Sequence, residues 1–250
     1  VLTVFTSAYL LFWIQPLLSS RLTPVFGGTP NVWNTLLLFF QGMLLLGYLY
    51  SHLLSNHHRF QKILLFHIVL IFFSVYALLR TDFNLVHADI YAPSLSVLAY
   101  TATSIGLPFL MLASVAPMVQ FMFGINQTAS PYKLYAVSNA GSLMALLLFP
   151  LLMQPMLGLK AQLWSWKIGY VIFSIFYSGI VLHCWKNITF CRNTTTLQQE
   201  KYTRIKWFVR CRWAALAFIP SSLLHGVTLI ITNDISSIPM LWIIPLLLYL

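Results

Sequence analysis

The chain has 250 residues, 59% of them hydrophobic and 7% charged, with 14 Lys and Arg, four Asp and Glu and a net charge of +10. Soluble domains carry roughly 25% charged residues, so a water-soluble fold of this size could not cover its surface. The positive charge does not describe a nucleic-acid patch, because half of the basic residues lie between Lys186 and Arg212, a clustering that sets membrane topology.

The apolar residues fall in blocks of about 18 to 25, enough to cross a bilayer core at roughly 1.5 Å per residue. Read in chain order, the spans are 2–18, 32–53, 62–79, 95–122, 134–153, 163–185 and 213–232. An eighth run, 239–250, is only about 12 residues long and too short to cross. Strands of a membrane barrel would be about 10 residues with alternating polarity, and these blocks are continuously apolar. The expected fold class is therefore all-α, a polytopic transmembrane helix bundle of seven or eight spans. Residues 1–185 form a six-span bundle, 186–212 a basic linker, and 213–250 further spans, the last truncated. The chain opens at Val1 without Met or a signal peptide and stops inside an apolar run, so it is expected to be part of a longer protein.

Two local features refine the spans. The fourth carries Gly106, Pro108 and Pro117, which predicts a kink or break. Trp166 and Trp185 bracket the sixth, 19 residues and about 28 Å apart, which places both indoles at the membrane–water boundary.

Counted by connection, Arg59, Lys62, Lys133 and the seven basic residues from Lys186 to Arg212 lie on one side, against Arg21, Arg80, Lys160 and Lys167 on the other. The bias puts the N-terminus and the basic linker in the cytoplasm, and the expected location is a bacterial inner membrane. Within the linker, Ile205, Trp207, Phe208 and Val209 are interleaved with basic residues. A topology-setting linker accounts for this; a short interfacial helix on anionic lipid headgroups is the sharper alternative. Cys184, Cys191 and Cys211 surround the same segment and are expected to stay reduced. The sequons at Asn126, Asn187 and Asn193 fall on the cytoplasmic side and are expected to be unmodified.

Polar side chains inside hydrocarbon are costly and face the bundle interior, which singles out Gln15, Asn34, Gln41, Gln120, Asn139, Ser142, His67 and His225. Each reads first as interhelical glue, worth about 0.6 to 2 kcal/mol. The sharper reading makes Gln15, Asn34, Gln41, Gln120, Asn139 and Ser142, with Asn233 and Asp234 at the outer end of the seventh span, the lining of a substrate path. The run Ser138-Asn139-Ala140-Gly141-Ser142 serves close helix packing or such a lining. Asp234 is the one acid close to a membrane core, since Asp82, Asp89 and Glu200 fall in connections. That poverty argues against proton coupling or a polycation site.

His52, His57 and His58 cluster without a nearby Cys, Asp or Glu, so no metal and no cofactor are expected. No phosphate loop, nucleophile elbow or zinc-protease motif is present, so no catalytic residue is assigned and the chain is not read as an enzyme. An intramembrane enzyme using His67, His183 or His225 is the remote alternative.

Several runs are specific together. They are Phe12-Trp13-Ile14-Gln15-Pro16, Gly27-Gly28-Thr29-Pro30, Val32-Trp33-Asn34-Thr35, Phe39-Phe40-Gln41 and Gly47-Tyr48. Then follow Gly106-Leu107-Pro108-Phe109, Leu134-Tyr135, Ser138 to Leu143, Pro220-Ser221-Ser222, Asn233-Asp234-Ile235, Pro239, Leu241-Trp242 and Pro245-Leu246. In this order they resemble the membrane domain of spermidine-synthase-like fusion proteins, where major-facilitator-like helices precede a soluble aminopropyltransferase-like domain. The resemblance implies a transporter-like membrane domain with an unknown small-molecule substrate. Its alternative is a non-transporting anchor or scaffold for a cytosolic aminopropyltransferase-like domain, fused or partnered, absent from this chain. Polyamine chemistry would belong to that soluble domain, and the family offers no site residues to carry over. The expected partners are thus the lipid bilayer, anionic headgroups at 186–212 and such an enzyme domain, with no nucleic acid.

Overall fold

The computed structural model describes residues 1–26, 30–55, 60–83, 92–126, 131–195 and 206–231, with Ile243, Pro245 and Leu248. Nine α-helices run through them: α1 (Leu2–Val25), α2 (Pro30–Ser55), α3 (Phe60–Arg80), α4 (Pro93–Thr101), α5 (Leu107–Asn126), α6 (Pro131–Leu148), α7 (Gln154–Met156), α8 (Leu159–Thr195) and α9 (Trp207–Ile230). Among the described residues there is no strand, and seven helical stretches are long and apolar enough to cross a membrane. This all-helical architecture is compatible with an integral membrane protein. The truncated run 239–250, apart from Ile243, Pro245 and Leu248, lies outside the described residues.

The burial pattern is compatible with a bundle solvated by lipid. On α3, Leu64, His67, Ile68, Ile71, Ser74 and Leu78 are buried, a three-and-four spacing that marks one helix face. The opposite face exposes Leu65, Phe66, Val69, Phe72, Phe73 and Tyr76. Water would penalise so continuous an apolar surface, whereas hydrocarbon does not. The polar groups, His67 and Ser74, point inward.

α1 is the hub, packed against α6, α5, α8 and α2, with α2 also against α5 and α4, and α3 against α8 and α5. The most apolar window of α1 is 72% buried and that of α9 only 6%, so α9 flanks the bundle. Two glycines let backbones meet. A Cβ on Gly141 of α6 would lie 2.5 Å from the Phe5 carbonyl oxygen of α1, and one on Gly47 of α2 would lie 2.6 Å from Ala113 Cβ of α5. The small-residue run around Gly141 therefore serves close packing.

The fourth and fifth spans are continuous but carry π-helical turns, Ala102–Gly106 between α4 and α5 and Phe149–Met153 between α6 and α7. Each lies beside or contains a proline, Pro108 or Pro150. A proline has no N–H for the carbonyl four residues earlier, and a widened turn absorbs the mismatch. The predicted irregularity of the fourth span thus resolves as a π-turn, while Pro117 is accommodated inside α5. After α7, the buried Gln162 donates its Nε2 to the Met153 and Leu157 carbonyls at 3.2 and 2.7 Å. This satisfies helix-end acceptors where the chain reverses into α8.

Two expectations need correction and one boundary is refined. Trp166 is not an interfacial residue: it is fully buried, its Nε1 donates to the Leu10 carbonyl of α1 at 2.8 Å, and its ring stacks on Tyr170. Rotation of α8 about its axis turns Trp166 toward α1 and leaves Trp164 exposed. Second, the apolar stretch of the sixth span is Leu159–His183, close to the expected 163–185, but the helix that carries it, α8, continues to Thr195, with no Gly or Pro in 186–195 to interrupt it. Its 37 residues measure about 55 Å, well beyond a hydrocarbon core of roughly 30 Å. Third, Trp207, Phe208 and Val209 do not form a separate interfacial helix; they are the first turn of α9, while 196–205 lies outside the described residues. Nothing between Val209 and Arg212 breaks a helix, so the span's ladder propagates back to Trp207.

Candidate functional site, a polar groove between α2 and α9

The period of an α-helix brings residues three and four apart onto one face. On α2 this gathers Asn31, Asn34, Thr35, Leu38 and Gln41, and on α9 Phe218, Ser221, Ser222, His225 and Gly226. With Ser94 from the first turn of α4, these residues line a groove of about 700 Å³. That volume is within the roughly 300 to 1,000 Å³ of small-molecule sites. Eight of the eleven lining residues are polar and none is an acid, Lys or Arg, so a ligand here would be recognised by hydrogen bonds and not by charge pairing.

The groove holds unsatisfied capacity. Thr35 is committed locally, donating to the Asn31 carbonyl at 2.7 Å, and Ser221 Oγ likewise donates to the Ala217 carbonyl at 3.0 Å. The Asn34 amide oxygen, by contrast, is buried without a hydrogen-bond partner. A buried acceptor left unpaired costs on the order of 1 to 3 kcal/mol, a cost that a ligand donor or an ordered water would remove.

Of the residues singled out from the sequence, Asn34, Gln41 and His225 are brought together here. Gln15 and Ser142 are buried in α1 and α6 (4% and 3% exposed), Ser142 donating to the Ser138 carbonyl at 3.1 Å. Gln120 and Asn139 are half-buried on α5 and α6. None of these four lines the groove. Asn233 and Asp234 lie outside the described residues, as do His57 and His58. Asn31, Thr35, Ser94, Ser221 and Ser222 were not among the candidate site residues. For Asn31 and Thr35 the signal was the repeat of polar residues on one face of α2, whose partners on α4 and α9 only the fold could reveal.

No protein-family model, curated protein or solved structure matches this chain. The site must therefore be read from its own chemistry.

The other histidine inside the bundle is differently placed. His67 is fully buried, with Tyr50 Oη 3.0 Å from Nδ1 and Tyr177 Oη 3.3 Å from Nε2. A neutral imidazole has one donor and one acceptor, so one tyrosine accepts from the ring N–H and the other donates to the bare nitrogen. One side chain thereby ties α2, α3 and α8 together. Nearby, the Ser74 and Tyr170 hydroxyls pair at 2.5 Å between α3 and α8. His183 and His225 are exposed on α8 and α9, and no group of three His, Cys, Asp or Glu able to hold a metal occurs among the described residues.

Proposed function

We propose that this chain is an integral membrane protein that handles a small, uncharged, hydrogen-bonding molecule in the groove between α2 and α9, in the manner of a transporter. The observation that carries this reading is the groove itself: eight polar residues and no acid, Lys or Arg gathered on two span-length apolar helices and the start of α4. A polyamine is disfavoured as cargo, since a polycation leaving water needs carboxylates and none lines the groove. The uneven distribution of basic residues supports a cytoplasmic N-terminus in a cell membrane. With that orientation the groove lies in the outer half of the bundle, because α2 begins and α9 ends there. The ordered sequence runs are what supports kinship with the membrane domains of spermidine-synthase-like proteins, and an aminopropyltransferase-like partner domain is proposed on that footing alone.

Uptake by proteoliposomes of radiolabelled neutral amino acids, nucleoside thioethers, sugars and polyamines tests the proposal. We expect one neutral class to accumulate, at a rate at least tenfold lower in Asn34→Leu and Gln41→Leu, with lipid-facing Phe72→Leu unchanged. No uptake of any neutral solute, or equal uptake by the groove variants, would refute it.

A further inference from the structure

Positive-inside counting leaves four basic residues on the far side of the bundle, Arg21, Arg80, Lys160 and Lys167. They are not scattered. Near the C-terminal ends of α1 and α3 and in the first turns of α8, all four line one pocket of about 370 Å³, walled by Leu79, Phe83, Leu163 and Trp164. Asp82, the one acid among the described residues, also lines it, so four cations meet one carboxylate.

Apart from the Asp82 carboxylate, whose charge acts on Lys167, what holds the cations does not neutralise them. Lys167 Nζ donates to the Thr81 carbonyl at 2.9 Å and lies 4.8 Å from the Phe83 ring centre and 5.3 Å from that of Trp164. An Arg21 Nη donates to the Phe83 carbonyl, and the Arg80 guanidinium lies 5.5 Å over Tyr76. These acceptors are uncharged. Arg21 Nε is buried without a hydrogen-bond partner, although a guanidinium has five N–H groups to place.

Helix-end electrostatics explains only one of the four. Cations are favourable in the last turn of a helix, where only Arg80 sits, and unfavourable in the first, where Lys160 sits on α8; Arg21 and Lys167 lie further from their helix ends than the effect reaches. Gathering four cations beside a single carboxylate is repulsive unless a further counter-anion is present.

We infer that this pocket is an anion site that takes a phosphate group. Among the described lining residues, the surplus of three positive charges matches a multiply charged oxyanion better than a single carboxylate, and guanidinium forks fit its oxygens. The pocket's place at the ends of the spans, with apolar walls, suits a phospholipid headgroup as well as free phosphate. This inference does not depend on the groove reading.

The test is thermal melting of the full chain in detergent, at matched ionic strength, titrated with inorganic phosphate and separately with short-chain phosphatidic acid. A saturable rise in melting temperature is expected with at least one of them. Arg80 and Lys160 are exposed, so the double variant Arg80→Gln/Lys160→Gln should fold and bind at least tenfold more weakly, while Lys133→Gln at the other end binds normally. Stabilisation by both ligands assigns the site to phosphate as such; stabilisation by the lipid alone assigns it to a headgroup. No saturable shift with either, or equal shifts in the double variant, overturns the inference.

Discussion

Gly141→Ala should lower the melting temperature of the purified protein by roughly 5 to 10 °C, the equivalent of about 2 to 3 kcal/mol for a chain of this length. In an open helix the same change is favourable by up to about 1 kcal/mol, because alanine restricts the unfolded chain. At Gly141 that gain is overwhelmed, since the new methyl would stand 2.5 Å from the Phe5 carbonyl oxygen and 3.2 Å from its carbon. These are backbone atoms, so no rotamer change relieves the clash and α1 must move away from α6. Gly42 and Gly179 supply the control, because a Cβ on either meets nothing within 4 Å. Gly42→Ala and Gly179→Ala should melt at or slightly above the parent temperature. If all three variants melt alike, the close α1–α6 approach is wrong.

His67→Ala is expected to cost about 2 to 4 kcal/mol. It combines a cavity in a fully buried position with two tyrosine hydroxyls stripped of their partner. Tyr50→Phe and Tyr177→Phe should each cost only about 1 kcal/mol, because each removes one interhelical hydrogen bond and leaves the ring in place. The ordering discriminates: a structural histidine gives the largest loss of stability at position 67. A His67→Ala protein that melts like the parent would show that the Tyr50–His67–Tyr177 chain does not hold the three helices.

Much of this architecture was legible before any coordinates. Apolar blocks reported the seven helices long and apolar enough to cross a membrane, because a helix in lipid must satisfy its own backbone and cover itself with hydrocarbon groups. What the blocks do not encode is rotation about each helix axis. Trp164 and Trp166 are equally good boundary residues by position, yet only the packing on α1 decides that one is exposed and the other buried. The same ignorance of rotation kept Ser221 and Ser222 apart from Asn34 and Gln41, since the face shared by α2 and α9 is a tertiary fact. The far-side cations were visible as a residue count, but their convergence from three helices was not. Gln15 illustrates the opposite outcome: a polar residue in a span, buried in α1, that lines neither cavity and fits the role of packing.

Whether water reaches the groove is the question on which the functional reading rests most directly. Ser222→Cys and Leu223→Cys, each placed in a background with Cys184, Cys191 and Cys211 changed to Ser, would be exposed in proteoliposomes to a charged thiol reagent that does not cross lipid. Ser222 lines the groove and Leu223 faces outward from the same turn. The reading predicts that Cys at position 222 is modified and Cys at position 223 is spared. Protection of both positions would mean that the groove is filled by lipid, contradicting a path for a polar solute.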